Sequence, residues 1–259
     1  MAGSRLAEYR LPGGVMPEGV ISEHMVSIVL ILVLVFLVFA GVRRVGKGYR
    51  ESNYHKETGK KKRKVERNPG ALGEYETSRV LERLKGKKKF VFNAYIPKSS
   101  GSGCTETDII VIHEKGILVV ENKNYSGLVY GDAKKPQWIH IVGRRKFFFY
   151  NPIYQNDGHI RTLRRYLRDH MGKEYEDLPC ESVIVFNDRT KIGRIHHAGK
   201  RVMICSSRKV ARKLNRKLRK MPVVLSENEM EDIYRKLKAE TQVFFWVKAV
   251  HKKEVRRKQ

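Results

Sequence analysis

The segment from Thr107 to Lys123 constrains the fold more than any other part of the chain. It contains two apolar runs, residues 109–112 and 117–120, on either side of Glu114 and Lys115. Apolar runs of this length around a short polar turn are typical of a buried β-hairpin. Charged side chains lie within and beside these runs, where charge is rare unless a function uses it. We therefore predict an antiparallel hairpin that carries a functional site.

The position of the turn determines which charged side chains share a face of this hairpin. With the turn at residues 114–115, Asp108 lies opposite Glu121, and the period of two places Lys123 on the same face. Opposed residues have Cβ atoms roughly 4.5–5.5 Å apart, so two facing carboxylates repel each other unless a cation lies between them. Two alternatives stay open. A one-residue bulge would place Asp108 opposite Asn122, and the charges could simply mark the solvated end of the hairpin.

Composition indicates the kind of partner. The chain has 54 Lys and Arg residues against 27 Asp and Glu, a formal net charge of +27. Such an excess favours a polyanionic partner, either nucleic acid or an anionic membrane. The cysteines Cys104, Cys180 and Cys205 form no C-x-x-C pair, so we expect neither a disulfide framework nor a zinc site, and a reducing compartment is the simpler interpretation.

The first quarter of the chain predicts a membrane anchor. Residues 25–42 contain no charge and would span roughly 27 Å as a helix, enough to cross the hydrocarbon core. Residues 43–67 contain 11 Lys and Arg, whereas residues 1–24 contain two, which predicts a cytoplasmic C-terminal domain and an outside N-terminus. We expect residues 1–24 to be disordered, with Met25 as a second candidate start. Residues 43–67 are expected to form a basic juxtamembrane linker near anionic lipid head groups.

Beyond this linker, residues 68–259 are expected to form one mixed α/β domain. The patterns predict helices over residues 68–84, 152–170, 208–220 and 227–238, and strands over residues 90–96, 128–130, 138–142, 146–150, 182–186 and 202–205. Asn68 and Pro69 are a good start for the first helix. Glu74 lies near the inward face of that helix, although an exposed first-turn glutamate is the alternative.

Polar residues of two later helices are further candidates. Gln155 and His159 are four residues apart and share a face near the start of the 152–170 helix, where ordinary surface polarity is the alternative. Outward-facing cations of the 152–170 and 208–220 helices could clamp phosphates, with a solvated face or anionic lipid as alternatives. The candidate nucleic-acid contacts are Arg161, Arg164, Arg165, Arg208, Lys209, Arg212 and Lys213.

Several motifs occur together in one order and spacing. They are Gly70-x-x-Gly73-Glu74, Thr107-Asp108, the segment Gly116-Ile117-x-Val119-x-Glu121-x-Lys123-Asn124-Tyr125-x-Gly127, Trp138, and Asn151-Pro152-Ile153-x-Gln155-Asn156-x-x-His159. Residues 68–170, which contain them, resemble the NERD (nuclease-related) domain. Ile109 departs from the pattern, because many members have histidine directly after the strand aspartate.

This resemblance implies a fold, a cofactor and a set of roles. The NERD domain is similar to the PD-(D/E)xK nucleases, which implies a restriction-endonuclease-like central mixed β-sheet flanked by helices, here preceded by one transmembrane helix. Asp108 and Glu121 would bind Mg²⁺ or Mn²⁺, with Glu74 as a further or water-mediated ligand. Lys123 would orient or activate the attacking water and offset phosphate charge, and Gln155 would lie at the edge of the site.

The expected function is that of a membrane-anchored, metal-dependent nuclease that hydrolyses DNA at the cytoplasmic face. RNA is the alternative substrate, and the sequence leaves open whether cutting is internal or from an end. A non-catalytic module that tethers nucleic acid to the membrane is the alternative function. A third interpretation is a scaffold that meets only lipid, with the bilayer contacted through residues 25–42.

Overall fold

The computed structural model describes residues 23–98 and 103–242, which divide into two units between Gly48 and Tyr49. In the first unit, helix α1 (Glu23–Glu51) begins, and its large apolar side chains between residues 26 and 38 are exposed. The predicted span over residues 25–42 lies partly outside the residues whose side chains are described. Among described residues, no helix is long and apolar enough to cross a bilayer. Residues 1–22 of the segment expected to be disordered also lie outside the described residues.

The second unit begins well before residue 68, and this differs from the expected linker. Helices α2 (Asn53–Thr58) and α3 (Lys62–Glu66) form within it. Tyr49, Tyr54 and Val65 are buried in the hydrophobic core of the domain. The sequence does not indicate that these three side chains are buried, because single apolar residues in a strongly basic segment produce no apolar periodicity. The folded domain therefore includes much of the segment predicted as a tether.

Two mixed sheets form the framework of the second unit. The five-stranded sheet has the order β1 (Lys88–Pro97), β2 (Cys104–His113), β3 (Gly116–Lys123), β7 (Cys180–Phe186), β9 (Val202–Ser206). The four-stranded sheet has the order β6 (Arg145–Tyr150), β5 (Gln137–Val142), β4 (Gly127–Asp132), β8 (Thr190–His196). The helices of this framework are α4 (Pro69–Leu81), α5 (Pro152–Met171), α6 (Ser207–Leu218) and α7 (Glu227–Ala239), with a 3-10 turn at Lys173–Tyr175.

Helices cover both faces of the five-stranded sheet. Helices α2, α3, α4 and α6 pack on one face, where Ile109 and Leu118 are buried, and α5 and α7 pack on the other, where Ile110 and Val119 are buried. A sheet covered on both faces needs apolar residues at consecutive positions. This explains why β2 and β3 are continuous apolar runs rather than alternating ones.

The second sheet was not predicted from the sequence, which indicated one central sheet. Strand β8 pairs in parallel with β4, and its side chains are mostly half-buried or exposed. Its polar sequence therefore lacks the apolar signal of a core strand. Trp138 and Phe149 of the second sheet pack with Ile184 and Phe186 of β7, so a third hydrophobic cluster joins the two sheets.

The predicted helices are confirmed to within a few residues at each end. Asn68 caps α4 by accepting a hydrogen bond from the Ala71 backbone nitrogen. In α6, Val210, Leu214 and Leu218 are buried and the exposed positions are largely cations, whereas α7 mixes acidic and basic residues. Residues 243–259 of the expected domain lie outside the described residues.

Candidate active site

The hairpin of β2 and β3 has the predicted turn at residues 114–115. Its ladder runs without a shift from the turn to the pair of Ile109 and Val120. The backbone pairing of β2 with β3 ends at that pair, and the carboxylate of Asp108 accepts a hydrogen bond of 2.9 Å from the Asn122 backbone nitrogen. A side chain thus replaces the next rung of the ladder, and it orients Asp108 beside the end of β3.

Asp108 lies where the sheet reverses the orientation of its side chains. On β1, Asn93 lies between residues paired with Ile109 and Thr107, which places it opposite Asp108. Asn93 has a φ of 53°, a left-handed conformation that asparagine tolerates better than most residues. Phe92 before it packs on the α4 side, whereas Ala94 after it packs on the α5 side. Asp108 therefore lies between Glu121 on the α5 side and Glu74 on the α4 side, and the charges of both act on it.

On the α5 side, β3 and α5 form one network of polar side chains. The Lys123 Nζ lies 2.7 Å from the Glu121 Oε1 and donates a hydrogen bond of 3.0 Å to the Gln155 Oε1. The His159 Nε2 lies 3.2 Å from the other oxygen of Glu121, which is only 2% exposed. The structure thus brings Gln155 and His159 to the hairpin residues, because all four side chains lie between β3 and the first turns of α5.

His159 also contacts a residue that sequence reasoning missed. Its Nδ1 lies 2.8 Å from the Thr105 Oγ1 on β2. Thr105 reaches the α5 side because the strand has reversed its faces at Asp108. No spacing in the sequence indicates that reversal, so Thr105 carried no signal of its own.

On the α4 side, Glu74 is held by residues from α2, from the loop after it and from β1. Its Oε2 accepts hydrogen bonds of 3.0 Å from the Tyr54 hydroxyl and 3.0 Å from the Asn93 Nδ2. The Lys60 Nζ lies 4.0 Å from the same oxygen and donates a hydrogen bond of 2.8 Å to the Asn93 Oδ1. Sequence analysis placed Glu74 at the site but missed all three of its partners. Tyr54 and Lys60 were missed because their segment was interpreted as a tether.

The glycine before Glu74 allows α4 to approach the end of β3. A Cβ on Gly73 would lie 2.6 Å from the Nδ2 of Asn122 and 2.6 Å from the Cβ of Asn124, a separation that real Cβ atoms do not reach. Thr77, one turn further, donates a hydrogen bond of 2.6 Å to the Asn122 Oδ1. This close packing positions Glu74 at the same end of the sheet as Asp108 and Lys123.

Two asparagines fix the start of α5 and therefore the site residues on it. Asn151 caps the helix by accepting from the Ile153 backbone nitrogen, and its Nδ2 donates to carbonyls of the loop after β4. The buried Asn156 donates hydrogen bonds of 2.9 Å to the Val119 carbonyl and 2.9 Å to the Ser182 hydroxyl. These bonds tie α5 to β3 and β7, so Gln155 and His159 are rigidly positioned.

The charges of the site are unevenly compensated. Burial raises the pKa of the Asp108 carboxyl well above its ordinary value, and the negative charges of Glu121 and Glu74 raise it further. Burial also raises the pKa of Glu121, but Lys123 and His159 more than offset this, and the net pKa is lowered. Burial lowers the pKa of Lys123, but Glu121 dominates and the net pKa is raised. Burial raises the pKa of Glu74 as well. Glu121 and Lys123 thus form an ion pair, while the Lys123 ammonium only partly offsets the effects that raise the pKa of Asp108.

The donor set of the site can be compared with what a hard divalent cation requires. Within residues 23–98 and 103–242, no group of three or more His, Cys, Asp or Glu side chains is arranged to hold a metal ion. Asp108 and Glu121 still offer carboxylate oxygens at one place. Mg²⁺ often binds through one or two carboxylates and keeps several waters. The raised pKa of Asp108 reflects a negative charge that a cation would neutralise. The donor chemistry therefore fits Mg²⁺ or Mn²⁺.

The candidate nucleic-acid contacts fall into two groups. On α6, Arg208, Lys209, Arg212 and Lys213 are all exposed. On α5, Arg161 is exposed, whereas Arg164 donates to the Leu178 carbonyl and Arg165 to the Pro97 carbonyl. A groove of about 700 Å³ lies beside α6, lined among others by Arg83, Arg212, Arg216 and Arg219. The α6 surface is thus the better placed of the two for a polyanion.

Comparisons with known proteins concern the domain that contains this site. The model of the NERD family, described as a nuclease-related domain, matches residues 69–187, which include all five candidate catalytic residues. An uncharacterised protein of Bacillus anthracis is 32% identical over 135 residues, which cover 52% of this chain and 60% of that protein. The match thus spans less than two thirds of the relative. No solved structure matches the chain. Residues 69–187 are therefore supported as a nuclease-related domain.

Proposed function

We propose that this protein is a metal-dependent nuclease that hydrolyses phosphodiester bonds of DNA, with RNA as the alternative substrate. One observation carries the proposal. The ammonium of Lys123 lies between the Glu121 carboxylate, at 2.7 Å, and the Gln155 amide, at 3.0 Å, and its charge also lowers the pKa of Asp108, which burial, Glu121 and Glu74 raise. A cation next to two carboxylates at the end of a strand pair suits a substrate that is itself negatively charged.

Lys123 stabilises charge in this mechanism. Its raised pKa keeps it protonated at neutral pH, so it does not remove a proton from water in the resting site. A fixed ammonium can instead hold a phosphate oxygen and stabilise the extra negative charge of the transition state. Gln155 accepts a hydrogen bond from the ammonium and so orients it.

Asp108 and Glu121 would hold Mg²⁺ or Mn²⁺. When bound, such an ion lowers the pKa of a water and neutralises phosphate charge. The chain orients both carboxylates in advance. His159 and Lys123 engage the two oxygens of Glu121, and the Asn122 backbone nitrogen holds Asp108. Prior orientation of this kind reduces the entropic cost of reaching the transition state.

Glu74 contributes from the other side of Asp108. Its negative charge raises the pKa of Asp108, so the two carboxylates lie close enough to repel each other. Hydrogen bonds from Tyr54 and Asn93 occupy one of its oxygens. Glu74 would therefore contribute as a further ligand or through a bridging water.

A cleavage assay with the full-length chain tests the proposal. The purified protein should cut plasmid and linear DNA with Mg²⁺ or Mn²⁺ and not with EDTA. Asp108→Ala and Lys123→Ala should each lower the rate by roughly 100-fold or more. Asp169→Ala removes a carboxylate at the exposed end of α5 and should cut like the wild type. If the wild-type protein cuts no faster than Asp108→Ala, it is not a nuclease of this type.

We further propose that residues 25–42 anchor the protein in a membrane, with the N-terminus outside and the nuclease domain cytoplasmic. The support is the charge-free apolar sequence and the excess of Lys and Arg after it. The basic residues of 43–67 would then lie near anionic head groups. Carbonate extraction and protease protection test this proposal. Release into the carbonate supernatant, or digestion of the domain from outside, would reject it.

A second candidate function is supported by charge alone. The net charge of +27 and the exposed cations of α6 exceed what a small active site requires. A non-catalytic module that tethers nucleic acid to a membrane would use the same surface. Salt-dependent DNA binding that persists in Asp108→Ala, together with no metal uptake in calorimetry, would select this function over hydrolysis.

A further inference from the structure

The hairpin of β5 and β6 projects from the second sheet and exposes aromatic rings beside cations. We infer that one face of this hairpin, together with Tyr125, is a stacking platform for unpaired bases, so that the substrate presents single-stranded nucleic acid to the site. This inference rests on the proposed function, because it names the substrate class of the same site. We call the three rings of Tyr125, His140 and Phe147 the aromatic ladder.

The aromatic ladder is a continuous row of rings. The rings of Tyr125 and His140 stack with centroids 4.6 Å apart and planes 11° apart. Phe147 is the cross-strand partner of His140, and their centroids are 6.2 Å apart at 39°. Tyr125 and His140 are half-buried, whereas Phe147 at the outer end of the row is 48% exposed. Its outer ring therefore has surface available for another planar group.

The inner rings are held in place before any ligand binds. Tyr125 packs against the edge of Phe149, with centroids 5.1 Å apart and planes at 83°. His140 hydrogen bonds through its Nε2 to the Ser126 carbonyl. Trp138 on the same face of the hairpin is fully buried, and its Nε1 donates a hydrogen bond to the Asp132 carbonyl. Rigid rings lose little entropy on binding, which favours a recognition surface over a loose apolar patch.

The ladder leads from the candidate active site to a positively charged tip. Tyr125 follows Lys123 by two residues, directly after β3. At the other end, Arg144, Arg145 and Lys146 are exposed around the turn of the hairpin. A strand whose bases stack on the rings would keep its phosphates near these cations. The charge pattern thus favours a polyanion with flat groups.

Unpaired bases fit this surface better than a duplex. In a duplex both faces of each base are covered by neighbouring pairs, whereas unstacked bases are free to stack on aromatic side chains. Stacking on aromatic rings in a basic groove is the usual way in which proteins hold single strands. The exposed cations of α6 lack interleaved rings and suit duplex phosphates instead.

Phe148 provides a matched control within the same strand. It follows Phe147 directly and therefore points to the opposite face of the hairpin. It is 57% exposed, and the Lys146 ammonium lies 5.2 Å from its ring centroid. The two phenylalanines thus match in size and are similarly exposed, and they differ in whether they extend the aromatic ladder.

The test measures binding by the full-length chain in EDTA, so that no cleavage occurs. Fluorescent oligonucleotides of about 16 nucleotides are titrated as single strands and as duplexes. Phe147→Ala should weaken single-strand binding by at least about fivefold and leave duplex binding unchanged. Phe148→Ala should match the wild type for both. Phe147→Trp should restore single-strand binding, whereas Phe147→Leu should not, because leucine is apolar but cannot stack.

Four results would overturn the inference. Phe147→Ala could bind single strands as tightly as the wild type. The two alanine variants could lose affinity equally, or lose binding to anionic vesicles instead, which would assign the hairpin to lipid. Both could also change the oligomeric state, which would assign the exposed edge of β6 to a second copy. The cleavage assay tests the nuclease proposal separately. A protein that does not cut DNA but still needs Phe147 to bind single strands would refute the nuclease proposal and leave the stacking platform in place.

Discussion

The hydroxyl of Tyr54 donates a hydrogen bond of 3.0 Å to the carboxylate of Glu74. Tyr54 belongs to a segment whose composition predicts a solvated tether, yet its side chain is fully buried. The bond therefore joins the segment between the apolar helix and the nuclease-related domain directly to the candidate site. Any fragment that starts at residue 68 lacks this hydrogen bond and the interactions of Lys60.

Tyr54→Phe removes this hydrogen bond while keeping the ring in the core. We expect the free energy of unfolding to fall by about 1 kcal/mol, because Glu74 loses a donor in a buried position. Thermal denaturation followed by circular dichroism should show a Tm lower by roughly 3 °C. Tyr154→Phe, at an exposed tyrosine of α5, should leave the Tm unchanged. Equal Tm values for the two variants would contradict a structural role for this bond.

Asp108→Asn should stabilise the metal-free protein. Burial, Glu121 and Glu74 raise the pKa of Asp108 in the folded state above its ordinary value of 3.8. The folded state therefore retains a proton that the unfolded chain releases. The free energy of unfolding falls as the pH rises from the ordinary pKa of 3.8 through the raised pKa of the folded state. Asparagine carries no charge to repel its neighbours, so the Tm advantage of the variant should grow with pH over this window.

Calorimetry in EDTA at a series of pH values measures this effect. Adding Mg²⁺ should then raise the Tm of the wild type more than that of Asp108→Asn, because the variant lacks one carboxylate. A wild-type protein that is more stable than Asp108→Asn at every pH without metal would show that the Asp108 charge is compensated within the protein.

His159→Ala should impair the site through Glu121. The imidazole lies between the Glu121 carboxylate and the Thr105 hydroxyl, and both would lose a partner. Loss of a group that orients a metal-binding carboxylate typically costs 10- to 100-fold in activity or metal affinity, and we expect a decrease of about that size. Cleavage rates at saturating and limiting Mg²⁺ separate the two effects. His159→Gln, which can keep one hydrogen bond, should lose less, and equal rates for all three proteins would contradict the prediction.

The exposed cations of α6 should dominate duplex binding. Replacing Arg208, Lys209, Arg212 and Lys213 with alanine should reduce the slope of log K against log salt concentration by about 0.9 for each phosphate that the protein no longer neutralises. The double variant Arg164→Ala and Arg165→Ala is the control, because both side chains already donate to backbone carbonyls. Fluorescence anisotropy across a salt series measures both slopes. A larger change in the control would move the duplex site to α5.

Local features were predictable because they depend on neighbouring residues. The register of the β2–β3 hairpin follows from a two-residue turn, and it is confirmed as far as the pair of Ile109 and Val120. The starts of α4 and α5 follow from asparagine–proline pairs, and both asparagines cap their helices. In contrast, β8 was missed, because an edge strand with mostly polar residues carries little apolar periodicity.

The sequence by itself determined the β2–β3 turn and helices α4 and α5, which carry the predicted site residues, since turn position, caps and apolar periodicity act over a few residues. It also placed Asp108, Glu121 and Lys123 at one end of a hairpin. Only the tertiary structure decided which side chains from other elements contact these three residues. The left-handed backbone of Asn93 accompanies the reversal of the sheet faces beside Asp108. That reversal is a property of two paired strands, and the contacts that depend on it join residues far apart in the chain.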